Sequence, residues 1–179
     1  MRTKTEQTTG GAELAERRSF TQLLEPLPRQ VGEDTVCPKL VCFVCTGNTC
    51  RSPMAAAVLN ALGRGEYQAV SAGLSAVEGD AISEHAVQAL HEAGFASTEE
   101  NPYERYRARS ITAEMVAHCD LIVGITARHL LSLVCAFPQA AEKMVCLPRD
   151  IADPFLGDLS VYKSCLADIT AAVKEYFAL

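Results

Sequence analysis

The stretch Val44-Cys45-Thr46-Gly47-Asn48-Thr49-Cys50-Arg51-Ser52-Pro53-Met54-Ala55 decides how this chain is read. Ahead of it lies the apolar run Leu40 to Val44, and behind it Met54 to Leu62 carries a helix. A short apolar run that ends in a Gly-containing turn reads as a buried strand. Ser52 suits the N-cap of the following helix, Pro53 suits its first position, and Gly63 and Gly65 suit its end. A strand, a tight turn and a helix in this order wrap backbone N–H groups around one point in front of the helix N-terminus. That point is an anion site.

Each residue type in the loop has a use in phosphoryl transfer. The field of the loop should hold Cys45 as a thiolate, the nucleophilic form. The Arg51 guanidinium can take two phosphate oxygens in parallel and stabilise the equatorial charge of the transition state. Thr46, Gly47, Asn48, Thr49 and Cys50 supply the cradle between them, and Asn48 tolerates the left-handed backbone such a loop needs. The Ser52 hydroxyl can donate to the thiolate and assist its departure. A leaving group also needs a proton. Asp153-Pro154-Phe155-Leu156-Gly157-Asp158 follows a predicted strand and so reaches the same sheet edge. Residue mechanics alone leave Asp153 open between a general acid and an ordinary Asp-Pro turn. Cys50 is a second thiol in the same loop, so mild oxidation is expected to join it to Cys45.

Working outward, short apolar segments alternate with helical ones. Ala69 to Ser71 reads as the end of a strand, and Leu121 to Ile125 and Met144 to Leu147 read as strands. Ile82 to Glu92, Ile111 to Ala117 and Thr126 to Cys135 read as helices, with a polar, aromatic-bearing loop over residues 96–109. The last helix is the clearest, because Leu159, Tyr162, Leu166, Ile169, Val173 and Tyr176 recur at steps of three and four. The pattern implies an α/β domain whose parallel sheet is covered on both faces. Ligands of such sheets sit at the carboxyl ends of the strands, where Cys45 lies. Residues 1–36 are polar and broken by Pro26 and Pro28, and read as a disordered extension to a single domain over 37–179.

The bulk numbers narrow the function. The 179 residues carry a formal charge of −6, which does not suit nucleic acid as a partner. No apolar run nears the roughly 20 residues that span a bilayer, and the N-terminus lacks the apolar stretch of a secretory signal. The expected address is the cytoplasm, where the eight cysteines stay reduced. His85, His91, His118 and His129 read as surface or core-edge groups, and Tyr103 and Tyr106 as loop aromatics that could rim a pocket. Cys119, Cys135, Cys146 and Cys165 read as inert core thiols.

Cys45 to Ala55, followed by Asp153-Pro154-Phe155, resembles the low-molecular-weight protein tyrosine phosphatase family. The likeness runs from about Leu40 to Leu179 and includes Ser71-Ala72-Gly73, Arg107-Ala108-Arg109 and Asp120-Leu121-Ile122. It implies a Rossmann-like, four-stranded parallel sheet flanked by helices, phosphorylated proteins as substrates, and no metal or cofactor. It also implies hydrolysis through phosphocysteine, with Asp153 as the acid and Ser71 supporting Asn48. Two positions depart from the family: Tyr106, where a His is common, puts part of the loop's support in doubt, and Leu156, where bacterial members often have Gly, suggests a different acid loop.

Thr49 stands where tyrosine-directed members carry a bulkier aliphatic residue, and Thr-Cys-Arg-Ser resembles the protein-arginine phosphatase branch. A phosphorylated guanidinium is planar, polar and forked. Thr49 suits it with less bulk and a hydroxyl, Asp153 can pair with it, and Phe155 can stack on it. The expected activity is therefore on protein phosphoarginine, with phosphotyrosine as the alternative. An arsenate reductase would need a resolving pair of cysteines on a mobile loop, and none lies between Cys50 and Cys119. A zinc module would have to use Cys42-x-x-Cys45 with Cys37 or Cys50.

Overall fold

The structure, a computed structural model, describes residues 29–31 and 34–179. The expected disordered extension falls largely on residues 1–28 and 32–33, which lie outside the described residues. Ahead of the main sheet, Arg29–Val31 (β1) pairs antiparallel with Asp34–Val36 (β2).

Lys39–Cys45 (β3) is the centre of the fold. It pairs in parallel with Tyr67–Gly73 (β4) on one side and Leu121–Gly124 (β5) on the other, and β5 pairs with Met144–Cys146 (β6). The result is a four-stranded parallel sheet in the order β4-β3-β5-β6. Side chains alternate along a strand, so β3 feeds two cores. Val41, Phe43 and Cys45 face Met54, Leu90 and Ile169, whereas Leu40, Cys42 and Val44 face Met115, Ile122 and Leu133. Helices Arg51–Leu62 (α1), Glu84–Glu92 (α2) and Leu159–Phe177 (α5) cover the first face. Ala113–His118 (α3) and Ala127–Ala136 (α4) cover the second. This alternation disposes of the zinc reading, because Cys42 and Cys45 point into opposite cores and cannot share an ion.

Several boundaries differ from expectation, each for a local reason. Helix α1 starts at Arg51 with Cys50 as its N-cap, two residues earlier than expected. The Ser52 hydroxyl is engaged elsewhere. Helix α2 starts at Glu84 rather than Ile82, since the Ser83 N–H is held by the Thr49 carbonyl at 2.9 Å. Helix α3 starts after Thr112, whose hydroxyl accepts from the Met115 N–H at 3.2 Å, while the Ile111 N–H extends the sheet edge to the Gly73 carbonyl at 2.9 Å. Strand β4 ends at Gly73, two residues beyond the expected end at Ser71. The loop over 96–109 holds a 3-10 turn, Tyr103–Arg105, and Tyr103 is buried in the core rather than on a pocket rim. Of the four presumed core thiols, Cys119 and Cys165 are buried, but Cys135 is exposed and Cys146, on the edge strand, is only half-buried. No helix among the described residues is long and apolar enough to cross a membrane.

The carboxyl ends of β3, β4 and β5 bring Cys45, Gly73 and Gly124 to one edge. Gly124 is there because α4 packs directly over it: a Cβ would lie 2.8 Å from the Leu130 nitrogen and 3.2 Å from the Thr126 carbonyl. Gly124→Ala should therefore destabilise the fold by about 1–3 kcal/mol through overpacking, lowering Tm by on the order of 5 °C. An unchanged melting temperature would mean that α4 is not held by this contact.

Candidate active site

The loop from Cys45 to Cys50 is shaped by where its carbonyls go. Those of Cys45, Thr46 and Thr49 accept from Leu74, Ser75 and Ser83 N–H groups, each at 2.9 Å. With these oxygens drawn outward, the loop's N–H groups are turned toward the opposite, concave side. Gly73 permits the close approach, since a Cβ there would lie 2.6 Å from the Thr46 carbonyl.

Asn48 holds the loop from beneath. Its φ of 58° is left-handed, which Asn tolerates better than most residues, and it is fully buried. The amide nitrogen donates to Ser52 Oγ and Ser71 Oγ at 2.9 Å, and its oxygen accepts from the Arg109 N–H at 3.0 Å. Ser71 in turn donates to the Tyr106 hydroxyl at 2.6 Å, and Tyr106 donates to the Ser71 carbonyl. Tyr106 thus supports the network that its departure from the family pattern had put in doubt. Burial, above all, pushes its phenol up to about 12, so it stays neutral.

Cys45 Sγ lies 3.0 Å from Ser52 Oγ and 3.3 Å from the Asn48 nitrogen. Ser52's single proton has two acceptors within reach, the sulfur and the Ala72 carbonyl at 3.2 Å. Arg51, 6% exposed, meets the half-exposed Asp153 carboxylate at 2.5 Å and the Ile151 carbonyl at 3.4 Å. Its buried Nε has no hydrogen-bond partner among the described residues. An unpaired buried donor is costly, and an oxyanion in the loop would satisfy it. Cys50 Sγ is 3.1 Å from the Tyr162 hydroxyl, and burial is the main cause that raises its pKa.

His129 is the residue the sequence reading passed over. His85, His91 and His118 are exposed, but His129 is buried. Its Nε2 lies 3.1 Å from Thr46 Oγ1 and its Nδ1 2.9 Å from Thr126 Oγ1. It therefore ties the anion loop to the N-cap of α4. Burial first, and then Arg51, lower its pKa, which favours the neutral ring. The usable signal was Thr126-x-x-His129 directly after a strand, which puts the imidazole in the first turn at the same sheet edge as Cys45.

Thr49 is half-buried and, with Tyr162, Phe155 and Leu156, lines a cavity of about 420 Å³. The acid loop closes in a turn, Gly157 N–H to Pro154 carbonyl at 2.8 Å, with Leu156 at φ 66° and fully in solvent. That is the position where such turns ordinarily take Gly.

Residues 40–179 match the family model of low molecular weight phosphotyrosine protein phosphatases. The chain belongs to that family. It is 34% identical to a protein-arginine-phosphatase of Geobacillus stearothermophilus over 143 residues, 76% of this chain and 92% of the relative. A solved structure of the arginine phosphatase from the same organism superposes with a TM-score of 0.71 at 32% identity, covering 79% of this chain and 92% of that one. Another solved arginine phosphatase is a cysteine-to-serine mutant whose active-site serine is phosphorylated. It aligns at 28% identity and a TM-score of 0.69, over 78% of this chain and 93% of that one. This member of the low molecular weight phosphatases is thus a protein phosphatase.

The phosphatase loop depends on the Asn48 side chain, so Asn48→Ala should be severe. It removes three buried hydrogen bonds and leaves a left-handed backbone that Ala disfavours. Unfolding free energy should fall by about 2 kcal/mol or more, and kcat by at least about tenfold. Denaturant unfolding and steady-state rates check this, and a variant with wild-type values in both would contradict the role given to Asn48.

Proposed function

We propose that this enzyme removes phosphate from phosphoarginine in proteins, with Cys45 as nucleophile, Arg51 and the loop N–H groups as phosphate clamp, and Asp153 as acid and then base. The Cys45 thiolate attacks phosphorus in line with the leaving nitrogen. The P–N bond breaks as Asp153 gives its proton to that nitrogen. Water, activated by the now ionised Asp153, attacks the phosphocysteine. Phosphate leaves, and the returning thiolate is received by the Ser52 hydroxyl and the Asn48 N–H. Thr46, Gly47 and Cys50 complete the cradle, and Ser71, Tyr106 and His129 hold it in shape. In this reading residues 37–179 are the catalytic unit, working in the cytoplasm, where Cys45 stays reduced. Its partners are phosphorylated proteins rather than nucleic acid, given the net charge of −6.

The observation that carries the reading is the contact of Arg51 with Asp153 at 2.5 Å, in a loop whose Cys45 sulfur lies within 3.3 Å of the Asn48 N–H and the Ser52 hydroxyl. Preference for arginine is supported by Thr49 on the cavity wall, by the carboxylate of Asp153 facing where a guanidinium would lie, and by the arginine phosphatases among its relatives. Phosphotyrosine is the second reading, favoured by the family's general description and by the apolar Phe155 on the rim.

Thr49→Ile tests the choice. Added apolar bulk and a lost hydroxyl should shift the ratio of kcat/KM for phosphotyrosine over phosphoarginine upward by about 10- to 200-fold, with total activity retained. An unchanged ratio makes Thr49 a bystander, and a wild type that already prefers phosphotyrosine overturns the arginine reading.

A further inference from the structure

The cavity beside Thr49 has an asymmetry that phosphate chemistry does not explain. Its lining holds one formally charged residue, Asp80, together with the apolar pair Phe155 and Leu156. Asp80 is exposed, and its carboxylate makes no hydrogen bond or ion pair with any described residue. Its backbone, by contrast, is fixed. The Asp80 carbonyl accepts from the Ala108 N–H at 2.7 Å, its N–H donates to the Val77 carbonyl at 3.2 Å, and the next residue, Ala81, bridges to Arg107. A carboxylate is thus presented to the cavity by a rigid frame without being used inside the molecule.

The apolar wall is as unusual. Leu156 is 90% exposed and Phe155 is 65% exposed, and Leu156 has a backbone conformation that L side chains rarely adopt. The turn holding it is tightly built, since a Cβ on Gly157 would lie 2.8 Å from the Val161 Cβ. A large, exposed apolar side chain is therefore held on the same cavity as an unpaired carboxylate. One ligand chemistry satisfies both walls: a cationic head on an aliphatic stem.

We propose that this cavity takes a lysine or arginine side chain of the protein substrate, one that neighbours the phosphorylated residue. Asp80 holds its charge, and Leu156 and Phe155 cover its methylenes. The proposal rests on the reading of the adjoining loop as the site of phosphate removal. The protein's negative charge favours such a substrate at long range. The remaining cavity group that can carry positive charge is His85, set edge-on against Tyr162 at 5.4 Å.

The test uses the full chain and phosphopeptides identical except for Lys, Ala or Glu beside the phosphorylated residue, in one series with phosphoarginine and one with phosphotyrosine. Wild-type kcat/KM should be about fivefold higher for Lys than for Ala, lowest for Glu, and the spread should shrink as salt is raised. D80N should abolish the spread, and D80K should invert it. Hydrolysis of free phosphoarginine and of a small aryl phosphate should be unchanged in D80N, since neither reaches the subsite. Equal rates for Lys and Ala peptides in wild type would overturn the proposal, as would a Lys preference that survives D80N. Should only the phosphotyrosine series turn over, the arginine reading fails, while the flanking preference is still measured on that series.

Discussion

Three hydrogen bonds on one buried asparagine hold the site together. Asn48 sits at the turn of the anion loop in a left-handed conformation, and its amide ties the loop to Ser52 at the start of α1, to Ser71 on β4 and to Arg109 beside it. Each partner is fixed by the sheet: Ser71 lies opposite Phe43 in the β3–β4 register, and the residue after Arg109 bridges to Gly73. The loop's concave shape is thus a consequence of strand pairing. Its N–H groups face inward because its carbonyls have been taken by residues that follow β4 and precede α2.

That constraint also sets the electrostatics. Arg51 is almost wholly buried, and a buried cation without a partner is expensive. Asp153 meets it from the loop after β6, half-exposed and therefore only partly desolvated. A phosphate entering the loop would compete with Asp153 for the guanidinium and supply the acceptor that Arg51 Nε lacks. The same event would release Asp153 toward the leaving group. In the proposed mechanism, one pair of side chains therefore links binding of the anion to readiness of the acid.

The sequence made the loop legible because its parts are contiguous: strand, Gly, Asn, Arg, Ser and helix each have a local reason to be where they are. The parallel sheet covered on both faces followed from strands alternating with helices, its four-stranded form from the family likeness, and the amphipathic α5 was plain from its spacing. Asp153 was different. It is joined to Arg51 by tertiary packing across about a hundred residues, and only the family likeness singled it out. His129 left only the short signal Thr126-x-x-His129 after a strand and Tyr106 was visible only as a departure, since their roles exist only once α4 and the loop after α2 are folded against β3 and β4. The early start of α1 was missed for a related reason: Ser52 has the right side chain for a cap, but the sulfur, Asn48 and Ala72 engage it first. Leu156 was visible as a departure, while its exposure on the same cavity as Asp80 needed the fold.

The central claim is that the phosphate passes through Cys45. The direct measurement is to mix the Asp153→Ala enzyme with phosphorylated substrate, quench within the first turnovers, and locate any covalent phosphate by peptide mass spectrometry. Without its acid and base the enzyme should break down the intermediate slowly on substrates whose leaving group needs little protonation, so the adduct accumulates. The account predicts phosphate on Cys45 at a level approaching one per chain. Phosphate on another residue, or turnover with no covalent adduct at any time, would contradict it.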